Sequence, residues 1–415
     1  MTKKSGLTAV KPTLLDKKFW QNFAKNIWEK KPLVLRNVKS ALLEMGEAEI
    51  FDLLVLFSDR CRKLNNPEGF KFYIHGFKAE AEDVLQVLPE KSDKTLLGYH
   101  ARMQALFKDY CLVCDELLTV NSKKQELLTE FTEELYRHVG FPNRFAEMGL
   151  YLGNYKKTPF GVHVDSCGVF SFPVSGVKKF RLWSGPYGKK NPGLDRTFKY
   201  AKYKKDSQLV EARAGDMVYW PSSEWHIAES DGSFSATWSL GVWVDQPHKE
   251  MVAQSLRNLI DTKLGPAGEE AMTSFRQLHD AAGEISELPN GYLKSIEVLQ
   301  NLSQAELQES FLKAWMKHIS LQGFKTLPLK SKPLKISKSA EIQLRHRKAL
   351  ILWQKSLTQK KNFYVSFGGH LLESASPKLL NTIKSLNAGK VCSLKGLYPQ
   401  DLSLVQALAN AGALA

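Results

Sequence analysis

Long apolar runs are missing from this 415-residue chain, and nothing approaches the ~18 consecutive apolar residues of a membrane span. The opening MTKKSGLTAVKPTLLDKKFW also lacks the apolar segment of a secretory signal. The expectation is a cytoplasmic protein without a membrane partner. Cysteine is scarce: five residues (Cys61, Cys111, Cys114, Cys167, Cys392) do not make a disulfide framework. Cys111 and Cys114 form a lone CxxC, without the second pair of a zinc site. Their surroundings, QALFKDYCLVCDELL, read as a helix and not as the strand that precedes a redox motif. All five are expected to be reduced thiols, most of them buried. Internal repeats and long low-complexity segments are absent.

Acidic residues are in deficit, 43 against 58 lysines and arginines, so the net charge is +15. Such an excess suits a polyanionic or acidic partner, or serves solubility. The cations are clustered. Residues 178–205 hold Lys178, Lys179, Arg181, Lys189, Lys190, Arg196, Lys199, Lys202, Lys204 and Lys205, and a second group spans Lys317 to Lys361.

What is present in plenty is apolar material for a core, 43% of residues. Between 18 and 140, FWQNFAKNIWEK, AEIFDLLVLFSDRCRKL and KKQELLTEFTEELYRHV have helical periodicity, while KPLVLRNV reads as a short buried strand. From Leu150 to Val244 the period changes to two, in LYLGNY, FGVHVDS, VFSFPV, KKFRLW, QLVEAR, DMVYWP, WHIAES and FSATWSLGVWV. Short strands at that spacing imply a closed or double-sheet barrel. Helices return at PHKEMVAQSLRNLIDTKL, AGEEAMTSFRQLHDAA and LSQAELQESFLKAWMKHI. TLPLKSKPLKISKS looks like a linker, and SPKLLNTIKSLNAG and PQDLSLVQALANAGALA are helices with glycine stops.

One strand segment carries His163-Val164-Asp165. On a strand, side chains at i and i+2 share a face, so imidazole and carboxylate would project together into the barrel. His226 opens a later strand, after a Pro-Ser turn. Two histidines and a carboxylate are the donor set of a facial triad that leaves coordination positions open. A structural histidine bonded to a nearby carboxylate in a non-catalytic barrel is the alternative. In VSGVKKFRLW, alternation puts Lys178, Phe180 and Leu182 on the interior face and Lys179 in solvent. In the last strand Ser235, Thr237, Ser239, Gly241 and Trp243 share a polar face.

These residues resemble the jumonji-C (cupin-like) hydroxylases. Leu152-Gly153, Thr158-Pro159, the HxD pair, Lys178 fifteen residues after His163, and Gly215-Asp216, Tyr219, Pro221, Trp225 and His226 follow the family's order and spacing over 150–244. The order of the C-terminal segments is similar to that of bacterial ribosomal oxygenases. The resemblance implies an α+β fold: a double-stranded β-helix (jelly-roll or cupin) core with flanking helices and a C-terminal helical, winged-helix-like unit. It implies an oxygenase domain over 1–248, a helical dimerisation segment over 249–325 and the winged-helix-like domain over 335–415.

It also implies Fe(II) held by His163, Asp165 and His226, with 2-oxoglutarate anchored by Lys178 and contacted by Thr158, Tyr151 and Ser239. The implied reaction is hydroxylation of a protein or peptide side chain, with succinate and CO2 released. Ribosomal or acidic substrates would meet Lys202, Lys204 and Lys205, and the protein would pair as a homodimer. Lysine demethylation and a non-catalytic cupin that binds nucleic acid or an acidic partner stay open as alternatives; nucleic acid is not the favoured partner. Two positions depart from relatives: Phe160 stands where some carry a threonine, and Gly241 where some carry an asparagine.

Overall fold

Asp16 caps the first helix by accepting the Phe19 amide, and Lys17–Asn26 then lays Trp20 and Phe23 into the main core. The computed structural model describes residues 12–245, 248–265, 279–285, 288–328 and 334–415. It divides into two units. One comprises Met1–Asp245 with Gly323–Pro328; the other comprises Gln246–Gln322 with Leu329–Ala415.

In the first unit, two antiparallel sheets enclose the barrel. The large sheet runs in the order Leu33–Leu35, Met217–Trp220, Cys167–Ser175, Ser235–Trp243, Ala146–Gly153, Tyr110–Asp115, Phe70–Ile74 and Phe77–Lys78. The small one runs Gln208–Arg213, Val177–Trp183, Trp225–Glu229. The fold is a double-stranded β-helix. Alternation along Ser235–Trp243 settles which side is which: Ala236, Trp238, Leu240 and Val242 join the helix-covered core, and Thr237, Ser239, Gly241 and Trp243 face the barrel interior. The outer side of the large sheet is sealed by aromatic packing, in which Phe170 meets Phe23, Phe131 and Tyr219 at centroid separations of 5.5, 5.8 and 4.9 Å. Edge-to-face and offset pairs of this kind fix the angle of the N-terminal helix as well as burying area.

Two sequence expectations are corrected. Residues Tyr110–Asp115, with Cys111 and Cys114, are a strand and not part of a helix, which ends at Leu106. A short apolar run cannot be told from a buried helical turn by periodicity. Pairing with Phe70–Ile74 on one side and Ala146–Gly153 on the other decides it. All five cysteines are free, and only Cys392 is not buried. FGVHVDS is not a strand either: it touches its neighbour at one bridge, His163 with His226.

In the second unit, helices His248–Leu264, Asn290–Gln300 and Gln304–Ser320 pack together, and a meander of Leu352–Lys355, Phe363–Phe367 and His370–Ser374 is followed by helices Pro377–Asn387 and Pro399–Asn410. Most of AGEEAMTSFRQLHDAA and part of the linker-like TLPLKSKPLKISKS lie outside the described residues. Among the described residues no helix is long and apolar enough to cross a membrane.

Glu309 ties this unit together. Its carboxylate accepts from Ser356 Oγ, Thr358 Oγ1, Tyr364 Oη and the amides of Leu357 and Thr358, all at 2.6–3.0 Å, although the residue is only 5% exposed. Those donors outweigh the cost of burial and pull its pKa down to about 2. Glu309→Ala orphans several buried donors, so the unit should lose about 3 kcal/mol or more, read as a lower unfolding midpoint in urea. Because the folded pKa is depressed, this stabilisation is present above the unfolded value of 4.5 and drains away as pH falls towards 2.

Candidate active site

His163 and His226 sit on two segments that exchange backbone hydrogen bonds: His163 N donates to His226 O at 3.0 Å and His226 N to His163 O at 2.7 Å. Their rings lie 4.2 Å apart between centroids. Asp165 Oδ2 is 3.6 Å from His163 Nε2 and 3.5 Å from His226 Nε2. Among the described residues this is the one group of three donors whose ligand atoms converge, all within 4.8 Å.

The ring tautomers suit a metal. His163 Nδ1 lies 3.0 Å from Gly161 O and His226 Nδ1 3.2 Å from Glu224 O. A carbonyl can only accept, so each Nδ1 carries the proton and each Nε2 keeps its lone pair towards the carboxylate. Burial first, and the neighbouring His163 second, lower the His226 pKa to about 4, so its ring is neutral at physiological pH.

Two supports hold these side chains. Glu29 accepts from Ser222 N at 3.1 Å and from the Tyr219 hydroxyl at 3.0 Å, which pins the turn ahead of His226. The His163 segment is clamped by the inserted loop: Arg196 N donates to Val162 O at 2.7 Å, and Val162 N to Thr197 O at 3.0 Å. That close approach requires Gly161, whose φ is +69° and whose Cβ, if present, would stand 2.5 Å from Arg196 O. Gly161→Ala should therefore weaken Mn(II) or Co(II) binding by about 10-fold or more without removing a ligand, as loss of outer support does elsewhere. Titration calorimetry reads it.

The triad opens into a cavity of about 310 Å³ between the sheets. Tyr151, Thr158, Lys178 and Ser239, all singled out from the sequence, line it. Thr158 Oγ1 is partly engaged, accepting from Ala228 N at 3.3 Å. Lys178 is 2% exposed and donates to the Tyr155 hydroxyl, with Nζ 4.1 Å from that ring's centroid. No carboxylate pairs with it among the described residues, and burial lowers its pKa to about 8. A buried ammonium with no carboxylate beside it among the described residues can take an anion from outside. Phe160 lines the wall where a threonine stands in some relatives. At Gly241 a side chain would meet Trp243 and the Cys167 sulfur at 3.0 and 3.1 Å, so those two fill the space.

Residues 126–250 match the family model for the JmjC domain. This stretch is similar to JmjC domains, and it holds most of the barrel strands. Among solved structures, an X-ray structure of E. coli ycfD aligns with 95% of this chain and 97% of its own, at 14% identity and a TM-score of 0.51. A crystal structure of Escherichia coli ribosomal oxygenase YcfD gives the same coverage and identity at a TM-score of 0.50. Likeness at that identity is a likeness of fold. Comparison with curated protein sequences gives no match.

Sequence reasoning missed several residues of this cavity. Tyr155 and Arg196 line it, and so do Glu147 and the ion pair of Lys71 with Asp115, at 2.7 Å. Tyr155 lies beyond the last residue of its strand and Arg196 belongs to an irregular loop, so no periodicity marks either. Lys202, Lys204 and Lys205, expected at the substrate rim, are exposed but none lines the cavity. Their loop instead covers the outer face of the small sheet. Trp183 Nε1 donates to Tyr203 O at 2.9 Å, and Arg181 pairs with Glu229 at 2.7 Å, which also accepts from Tyr200 Oη.

Proposed function

We propose that the protein is an Fe(II)- and 2-oxoglutarate-dependent oxygenase that hydroxylates a side chain of a protein or peptide, releasing succinate and CO2. The observation that carries this reading is one cavity holding a His-Asp-His donor set together with a buried, unpaired ammonium. His163, Asp165 and His226 would hold Fe(II) through two Nε2 lone pairs and one carboxylate, with positions left open. Lys178, assisted by the Tyr155 hydroxyl, would take the far carboxylate of 2-oxoglutarate, with Thr158, Tyr151 and Ser239 along its length. Iron with this cosubstrate supplies oxygen activation and C–H hydroxylation. The chain's own residues hold, orient and enclose: no side chain acts as a general base, and Phe160, Trp220 and Trp243 narrow the space open to water.

A cavity of about 310 Å³ takes the cosubstrate and one projecting side chain, not a folded segment. A ribosomal protein is the proposed substrate class, in line with the name of the E. coli protein that shares the fold. The helix Asn290–Gln300 leaves Tyr292, Leu293, Ile296 and Leu299 exposed along one side. A second copy of the chain is proposed to cover them, within a dimerisation segment at 249–325, beside a winged-helix-like packing module at 335–415. A solution mass twice the 46.9 kDa of the chain is the expected result.

Anaerobic addition of Fe(II) and 2-oxoglutarate tests the central claim. The wild-type protein should develop the visible metal-to-ligand charge-transfer band, and His163→Ala should not. A folded protein with no band in either form would leave a cupin-like binding protein.

A further inference from the structure

The basic loop has a use that the oxygenase reading leaves unexplained. Between Ser184 and Ser207 its cations outnumber its carboxylates seven to two. All seven are exposed, and six of them are lysines. The two carboxylates offer them little: Asp195 has Arg196 at 3.9 Å, and Asp206 accepts the Tyr187 hydroxyl at 3.0 Å. Glu229, a half-buried acid, is hydrogen-bonded by Arg181 and Tyr200 and feels Lys204 only at longer range. Lys157, Lys199, Lys202, Lys204 and Lys205 thus have no ion pair among the described residues.

Several of these ammonium groups converge. Lys157 Nζ stands 4.7 Å and Lys204 Nζ 5.8 Å from the Tyr200 ring centroid, and Lys202 Nζ stands 4.8 Å from that of Tyr203. Lys157 Nζ also donates to Phe198 O at 3.1 Å, and Phe198 is 45% exposed. The platform is stiff. Tyr200 and Tyr203 pack with Trp183, Leu194, Val162 and Ile227, and Ser207 Oγ accepts from Arg181 at 2.9 Å. A rigid, unneutralised positive face would be costly to keep for solubility alone, because scattered charges serve that end without mutual repulsion.

We infer that this face binds the phosphate backbone of single-stranded nucleic acid, holding the strand beside the mouth of the cavity, where Arg196 of the same loop reaches the lining. Lysine meets phosphate as a point charge, and what favours a nucleic acid over an acidic protein is a ring exposed beside those charges. The exposed Phe198, next to Lys199 in the chain and bonded through its carbonyl to Lys157, offers a base a ring to stack on. The inference stands apart from the oxygenase reading, since none of these lysines touches the donor set or Lys178.

The test is fluorescence anisotropy with labelled uridine-rich RNA and thymidine-rich DNA of about 12 nucleotides, a length within the usual single-strand site size, from low to moderate salt. Wild-type binding should weaken steeply with salt. The triple variant K202E/K204E/K205E should bind at least about 10-fold more weakly at low salt, and its log–log salt slope should be shallower by about 2, at ~0.7 per phosphate contact. Phe198→Ser should weaken binding by a smaller factor and leave the slope unchanged. Reversal of exposed Lys355, Lys360 and Lys361 in the other unit should change little. Unaltered binding by the first triple variant, or equal loss in the second, overturns the inference. Capture of poly-glutamate with neither oligonucleotide bound does so as well, and assigns the face to an acidic partner. The Fe(II)–2-oxoglutarate band should persist in every lysine variant, which keeps failure here distinct from failure of the oxygenase reading.

Discussion

Lys178→Met should make the metal-free protein more stable at pH 7 while costing it most of its affinity for 2-oxoglutarate. The two effects have opposite signs because one cation is a burden without the ligand and an anchor with it. Burial holds the Lys178 pKa near 8, against 10.5 for an ordinary lysine. Between those values the unfolded chain keeps a proton that the folded protein has released, so stability rises with pH across that window. Below pH 8 the whole cost is present, on the order of 3 kcal/mol. Methionine removes the charge and keeps an unbranched stem. The melting temperature of the apo variant should therefore exceed wild type at pH 7, with the gap closing as pH approaches 10.5. Binding of 2-oxoglutarate should fall about 30-fold or more, as when one partner of a buried charge pair is truncated. A variant that melts lower than wild type at pH 7 and binds 2-oxoglutarate normally would remove Lys178 from the anchor role.

Asp165→Ala is expected to lower divalent-metal affinity by more than about 100-fold, beyond what loss of an outer support costs, and to abolish turnover. Its carboxylate is 40% exposed and, among the described residues, pairs with the two histidines. Little packing depends on it, so the melting temperature should stay close to wild type, within about 0.5 kcal/mol in stability. Metal titration and thermal melting together separate this from a folding defect. Metal affinity equal to wild type would mean that the two imidazoles, or groups elsewhere, hold the ion.

Much of the barrel is legible one residue at a time. Val177–Trp183 and Ser235–Trp243 alternate so cleanly that the inward side chains can be named from the order of residues alone, because a pleated strand has a period of two whatever surrounds it. The HxD pair was legible too, though through the wrong intermediate. Its two side chains converge across a loop held by a single bridge to His226, not along a strand. What holds that loop is Arg196 and Thr197, more than thirty residues away in sequence, and no local pattern reports such a clamp. The same loop shows where alternation stops being informative. Arg181 and Trp183 do take the outer face of their strand, yet both are buried, because Tyr200 and Tyr203 fold back over them.

By itself the sequence determined the elements whose signal is local: amphipathic helices with their caps, strands with their alternation, and the identities of the three side chains that converge as a donor set. Tertiary structure alone decided that Tyr110–Asp115 is a strand, that Tyr155 meets Lys178, and that the basic loop roofs the small sheet. Periodicity and capping arise from neighbours a few residues apart. Enclosure, pairing and the loss of solvent around a charge depend on chain segments that meet only once the sheets close.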